Sequence, residues 1–252
     1  MRKVCRRGDD GPTRIEWEAK LSSIPTSSAA REQWSESLGV PEPLFRRYGC
    51  RPGSGVLYHP EYAASGKVCG IVKRLADRRK LSEKGSRRGL TLPNTLPVRL
   101  RWLLITEGAS DCLATAAVFA GERGTAVIGR ASKTAVDDAL ELARRVQPEH
   151  VVVVADQDDA DGGAAQLAQA VVNAGIPAFV IVPPAKDIRE WITEGADAAD
   201  INNLINEAEE VEPTGAFAVM DAAEVMKLPP PEYLIERILP EKSLSVMWGQ
   251  PG

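Results

Sequence analysis

The sequence predicts an α/β protein: a doubly wound parallel sheet over residues 100–205, preceded by a smaller basic α+β subdomain over residues 29–99. Three observations carry this. From residue 102 onward, short apolar runs alternate four times with helix-like segments. Those runs are continuously apolar rather than alternating, as in parallel strands buried on both faces. Upstream of residue 100 the strand-like runs are separated by turn residues and interleaved with cations, which fits a smaller, partly solvated sheet.

Residues 1–28 are polar and end in "SSIPTSS", so a poorly ordered tail is expected there. "AAREQWSESLG" reads as a short helix stopped by Gly39, and "PEPLFRRYG" as a second with Pro41 near its start and Gly49 at its end. "GVLYHP" and "KVCGIVKRL" read as strands joined by a turn at Ser65-Gly66, and "DRRKLSEKGSRRG" as a basic loop.

"WLLIT" then reads as the first parallel strand. Its helix is "SDCLATAAVFAG", with Ser110 as cap and Gly121 as stop. "TAVIG" is the second strand, and "KTAVDDALELARRV" an amphipathic helix with Val136, Leu140, Ala143 and Val146 on one face. "HVVVVA" and "AFVIV" are the third and fourth strands, followed by "GGAAQLAQAVVNAG" and "DIREWITEG" as helices. Residues 206–252 turn acidic and then proline-rich, as a linker does, and close on an apolar run ending "WGQPG".

No apolar run approaches the ~20 residues that span a bilayer, and "MRKVCRRGDD" lacks the apolar centre of a signal peptide, so a cytoplasmic protein is expected. Cys5, Cys50, Cys69 and Cys112 form no C-x-x-C pair, which argues against a zinc ribbon and gives no disulfide framework. Cys112, in an apolar helical run, reads as core packing. The net charge of −4 hides a segregation: from Lys67 to Arg88 there are nine Lys or Arg against two acids, Asp77 and Glu83. A stripe of that sign suits a phosphate-binding surface, and a solvated basic face would read the same way.

In an open parallel sheet, functional groups gather beyond the C-terminal strand ends. Glu107 and Asp111 follow the first strand; Asp156, Asp158, Asp159 and Asp161 follow the third; Lys186 and Asp187 follow the fourth. Clustered carboxylates raise one another's pKa unless a cation neutralises them, and Mg²⁺, or Mn²⁺ after it, is the hard cation that fits. In an extended Asp156-Gln157-Asp158 the two carboxylates would share a face. An EF-hand fails here, because its fifth, sixth and twelfth positions fall on Ala160, Asp161 and Leu167. Helix capping accounts for Asp159 and Asp161, and competes for Asp111. It does not account for Glu107 together with Asp156 and Asp158, which read as metal ligands.

"TEGASD" and "VADQDDADGG" together resemble the Toprim domain shared by topoisomerases, bacterial and phage primases, and OLD-family nucleases. The resemblance covers about residues 100–195 and places the family's glutamate on Glu107 and its D-x-D pair on Asp156 and Asp158. Asp111 ends the first motif, Gly162 or Gly163 opens the following helix, and Lys186-Asp187 is similar to a primase pair after the next strand. "GIVKRLADRRKLSEKGSRRGL" resembles the basic subdomain of DnaG-like and phage primase–helicase proteins. By position Arg74, Lys80 and Lys84 match its phosphate- and template-binding cations, with Lys73 and Arg78 behind them. "SLSVMWGQPG" is similar to the strand and opening of a RecA-like Walker A loop beginning at Gly249, with the later Gly, Lys and Ser/Thr absent.

The resemblance implies a primase catalytic core that makes short RNA primers on single-stranded DNA from NTPs. Mg²⁺ would be held by Glu107, Asp156 and Asp158, catalysis would also involve Asp111 and Asp187, and Lys186 would add a nucleotide-binding cation. A replicative helicase domain in the same full-length polypeptide is the implied partner. Two readings stay beside it: a Toprim nuclease, and a non-catalytic single-strand-binding module of a helicase, which the missing zinc ribbon favours. The sparse tyrosines, Tyr48, Tyr58, Tyr62 and Tyr233, place no topoisomerase nucleophile.

Overall fold

The computed structural model describes residues 14–132, 136–159, 162–214, 233–235 and 239–240. The chain divides into two units, residues 1–214 and 215–252. The first unit is built on a nine-stranded mixed sheet.

Its N-terminal part begins with α1 (Arg14–Ser23), where a poorly ordered tail was expected. Trp17, 2% exposed, explains the order: its indole is buried against Val68 and Ile71, and one large aromatic is enough to anchor a ten-residue helix. Two more helices follow. In α2 (Ser28–Leu38), Ser27 caps the start by accepting from the Ala30 N–H, and Gly39 ends the helix in the left-handed conformation. In α3 (Glu42–Arg47), Pro41 precedes the first turn. Strands β1 (Arg51–Gly53), β2 (Val56–Tyr62), β3 (Val68–Leu75) and β4 (Lys80–Ser82) form an antiparallel meander. The expected basic loop therefore contains a strand, β4, paired with β3.

The parallel part follows the expected alternation: β6 (Trp102–Glu107), α4 (Ala109–Val118), β7 (Thr125–Arg130), α5 (Val136–Val146), β8 (His150–Val154), α6 (Gly163–Val172), β9 (Ala178–Ile181) and α7 (Ile188–Thr193). A further helix, α8 (Ala198–Glu207), opens with a capping box from Asp197 and Asp200. The strand order β7-β6-β8-β9 is all parallel. Helices cover both faces. Leu104, Val152 and Val154 pack with α3, α4, α7 and α8, while Leu103, Ile105, Val151 and Val153 pack with α5 and α6. The sheet is thus doubly wound, as its continuously apolar strands predict.

The two parts share one sheet. Strand β5 (Leu90–Thr91) pairs antiparallel with β2 through Tyr62 and with β7 through Arg130 and Gly129. The sequence boundary at residue 99 therefore marks a change of strand direction, not a break in the sheet, and the unit continues past residue 205 to Thr214. In the second unit, β10 (Tyr233–Ile235) and β11 (Leu239–Pro240) pair antiparallel. The apolar run to Gly249 and beyond lies outside the described residues, as does Cys5.

Candidate functional site: an acidic strand edge under a cationic sheet face

The acidic edge begins at the end of β6. Glu107 is its last residue and lies in register with Arg130, the last residue of β7. The chain then turns through Gly108 at φ 90°, a conformation that favours glycine. This turn lies directly on β7: a Cβ at Gly129 would sit 2.6 Å from the Gly108 carbonyl oxygen. Two glycines thus let the first motif close down on the neighbouring strand, and the Gly108 N–H donates to the Arg130 carbonyl.

Gly108 is the N-cap of α4 and offers no side-chain cap, so the first amides of the helix are left for other partners. Ser110 is buried and makes no capping bond, contrary to expectation, and the helix ends at Val118, short of Gly121. Asp111 is also not a cap. It is 8% exposed and its Oδ1 lies 3.6 Å from Nε of Arg189 on α7. Burial, together with the carboxylates of Asp187 and Asp156, pushes its pKa up to about 7, against the pull of Arg189 and Lys80. The ends of three strands therefore converge on Asp111.

The second motif departs from the extended geometry expected of it. Asp156 through Asp159 forms a turn closed by the Asp159 N–H donating to the Asp156 carbonyl. Asp156 is half-buried near Asp111, and Asp158 is exposed. The reason is local: Asp159 accepts from the Gly163 and Ala164 amides, capping α6 as expected, and this pulls the segment out of extension. Gly162 is the N-cap in the left-handed conformation and Gly163 the first helical residue. Asp161 lies outside the described residues. Among the described residues, no three His, Cys, Asp or Glu side chains are gathered closely enough to hold a metal ion. Asp187 is the N-cap of α7, accepting from the Glu190 N–H at 2.7 Å. Lys186 is exposed, and its backbone N–H donates to Glu190.

Above this edge stands the meander, and alternation along its strands decides which cations face the site. Antiparallel partners point the same way, so the pairs Leu57–Arg74, His59–Val72 and Arg74–Lys80 put His59, Glu61, Val72, Arg74 and Lys80 on one face. These residues line a small cavity with Arg88, Thr91, Gly108, Ala109 and Ser110. Lys80 Nζ would lie 3.8 Å from a Cβ at Gly108. Arg74 is 7% exposed, and burial, then Arg189, hold its pKa below the usual guanidinium value.

Lys73 points the other way. It pairs with Glu83 at 2.5 Å, beside the Lys20–Glu83 bridge, and its ammonium lies over the Tyr58 ring. The structure does not bring it to the cavity. Arg79 is bound to Asp77, Arg87 to Asp138 of α5, and Arg88 to Glu61. Arg78, at φ 71°, and Lys84 are exposed in the turns either side of β4. Of the five cations expected to bind nucleotide or DNA here, Arg74 and Lys80 line the cavity with the acidic edge.

Three residues absent from the sequence reading belong to this region: His59, Arg130 and Arg189. Each had a signal. His59 interrupts the apolar start of β2, Arg130 closes a strand that carries no other charge, and Arg189 lies two residues after Asp187, in the short helix that Asp187 caps. His59 is 4% exposed, with Nδ1 3.4 Å from the Cys50 sulfur; burial, then Arg74 and Lys80, lower its pKa to about 3. Cys50 and Cys112 are buried and Cys69 is partly so. Cys112, fully enclosed in the core, packs as expected. No helix among the described residues is long and apolar enough to cross a membrane.

Neither a protein-family model nor a curated protein sequence matches the chain. Solved structures do match in fold. The DnaG primase catalytic domain bound to single-stranded DNA aligns at TM-score 0.59 and 15% identity, over 76% of this chain and 75% of that one. The Escherichia coli primase catalytic core aligns at 0.56 and 12%, over 79% and 77%. The RNA polymerase domain of Mycobacterium tuberculosis DnaG primase, in complex with double-stranded DNA, aligns at 0.52 and 16%, over 76% and 77%. An acidic parallel-strand edge joined through one sheet to a cationic antiparallel face is thus set within the fold of the DnaG-type primase catalytic core.

Proposed function

We propose that this chain is a primase catalytic core that makes short RNA primers on single-stranded DNA in replication. One observation carries the reading: Arg74 and Lys80 of the meander stand over the N-terminal turn of α4, beside the acids of three strand ends. Phosphoryl transfer is mostly positioning and charge neutralisation, so it needs both signs of charge in one place.

In this reading Arg74 and Lys80 hold the phosphates of the incoming nucleotide, and the uncapped amides of α4 add donors to the same anion. Lys84 and Arg78, exposed on either side, extend the basic surface toward the template. Glu107, Asp156 and Asp158 would hold Mg²⁺ or Mn²⁺. The donor type, all carboxylate oxygen, suits a hard cation, although among the described residues these three carboxylates are not gathered into one cluster. The crowding of Asp111 by Asp187 and Asp156 is the like-charge stress that such a cation relieves. A hard cation held there would supply Lewis-acid chemistry, lowering the pKa of the attacking 3′-hydroxyl and neutralising triphosphate charge. Arg189 holds Asp111, and with it the turn of α4 that meets the phosphates. A replicative helicase domain is the proposed partner, and single-stranded DNA and NTPs are the substrates.

The test is incubation with pyrimidine-rich single-stranded DNA, labelled NTPs and Mg²⁺ or Mn²⁺. Short labelled RNA is expected. Glu107→Gln is expected to lower turnover by at least ~100-fold, the scale of a lost acid–base or ligand carboxylate, while single-strand binding survives. Asp111→Asn is expected to cost less. Degraded strand would instead mark a nuclease. Binding with no product would mark a non-catalytic module of a helicase.

A further inference from the structure

Arg130 is the largest fully buried side chain in the described protein, at 0% exposure. It ends β7, whose preceding residues, Thr125 to Gly129, carry no charge. Burying a guanidinium costs several kcal/mol unless charge and hydrogen bonds offset it. An apolar residue would close this strand at less cost, so the position needs a reason.

Its contacts supply one. Nη1 donates to the Gly163 carbonyl at 2.9 Å, on the first residue of α6. Nη2 faces Oε2 of Glu107 at 3.8 Å. Both of these contacts lie on the acidic motifs: Glu107 ends the first, and Gly163 is anchored through its own N–H to Asp159, in the turn that holds Asp156 and Asp158. The planar guanidinium can span both because its donors are fixed in a fork.

The longer distance is informative as well. At 3.8 Å there is attraction but no hydrogen bond. Oε2 of Glu107 is buried and accepts no hydrogen bond among the described residues. Arg130 therefore orients the carboxylate by its field and leaves the oxygen's lone pairs open to another ligand. A tight bidentate pair would consume them.

We propose that Arg130 is a positioning residue that fixes Glu107 relative to the Asp156–Asp159 turn, joining the two acidic motifs from beneath. The proposal rests on the catalytic reading of Glu107 given above. It predicts that Arg130 acts on turnover through Glu107 and not on substrate binding, which belongs to the opposite, cationic face.

The experiment uses Arg130→Met, which keeps length and loses charge, and Arg130→Lys, which keeps charge and loses the fork. Four quantities are read on folded protein: primer-synthesis kcat, its KM, single-strand affinity, and the melting temperatures of a cycle with Glu107→Gln. Arg130→Met is expected to lower kcat by at least ~10-fold, within the cost of a misplaced reacting group. KM for NTP and single-strand affinity are expected to stay within ~2-fold, the small change of a contact left intact. Arg130→Lys should recover only part of kcat. In the melting cycle the double variant should lose less than the sum of the single losses, because the two side chains share one interaction.

Wild-type kcat in either folded variant, or additive melting losses, would overturn the proposal. Should Arg130→Met fail to fold, Arg130→Lys and its own cycle decide. If wild-type protein makes no primers while the melting losses are coupled, the catalytic reading fails and the Arg130–Glu107 link stands.

Discussion

Lys73 and Arg74 are neighbours on β3 and have opposite fates. Lys73 lies on the face that α1 covers, between Glu83 and the Tyr58 ring, with Lys20 on the same carboxylate. Arg74 lies on the face toward α4, buried, with no hydrogen-bonded acid among the described residues. One face of the meander has its charges matched and its aromatics buried, as a structural surface does. The other pairs Arg88 with Glu61 and keeps Arg74 and Lys80 without a hydrogen-bonded acid among the described residues. The number of basic residues in the stripe says little; the parity of each along its strand says which ones work.

The comparison can be broken from either face. The largest effect is expected on the structural one. Trp17→Ala should cost about 3–5 kcal/mol in urea unfolding, the usual loss for a buried aromatic. Nucleic-acid affinity of the folded protein should not change. A variant that keeps its stability would show that α1 is not an anchor.

Next comes Arg74→Ala. A charge-assisted hydrogen bond to phosphate is worth about 1.5–3 kcal/mol, so nucleotide affinity should fall roughly 10- to 100-fold. Equal affinity in titration calorimetry would return Arg74 to a packing role.

The third prediction concerns pH, and two opposite signs. His59 has a folded pKa of about 3, below the ordinary imidazole value, so the unfolded chain takes up its proton first. Its contribution to stability is full above pH ~6.5 and is lost at about 1.4 kcal/mol per pH unit as pH falls. Asp111 is raised to about 7, so the folded chain holds its proton more tightly and stability grows as pH falls from 7 toward 4. The two slopes oppose each other between about pH 4 and 6.5. Relative to wild type, His59→Gln should gain stability toward acid and Asp111→Asn should lose it. Urea midpoints at pH 7 and 5 read both, and slopes of the same sign would refute the environments described for these two groups.

The smallest effect belongs to Lys73→Ala: under about 1 kcal/mol of stability, as for an exposed ion pair. The slope of log affinity for single-stranded DNA against log salt should not change. Lys80→Ala should reduce that slope by roughly 0.7, one phosphate contact. Equal slopes in the two variants would erase the distinction between the faces.

Much of this was legible in the sequence. Four apolar runs placed the parallel strands, and the acids that follow three of them marked the edge that carries Glu107, Asp111 and Asp156. What escaped was set by partners distant in sequence. Strand β5 is two residues, Leu90 and Thr91, and becomes a strand only because β2 and β7 flank it. Helix α1 owes its place to Trp17 meeting Val68 and Ile71, some fifty residues on. The turn at Asp156 depends on Asp159 reaching the amides of α6, which a D-x-D spacing does not reveal. Lys73 could have been separated from Arg74 by strand alternation alone, because the partner register is needed only to say which face is which. His59 and Arg130 broke apolar runs in plain view, but a polar residue in a strand does not name its partner.

The two-residue strand β5 has a consequence for how the protein is made. During synthesis the meander can pair as soon as β4 emerges, because its contacts are local. The pairing of Leu90 with Arg130 must wait for β6, α4 and β7 to leave the ribosome. In that interval the free edge of β2 is exposed, and Arg74 and Lys80 stand in solvent without the acids that follow β6, β8 and β9. A nascent chain thus offers a bare cationic ribbon to any polyanion nearby, and only β7, arriving some forty residues later, turns that ribbon into half of a site.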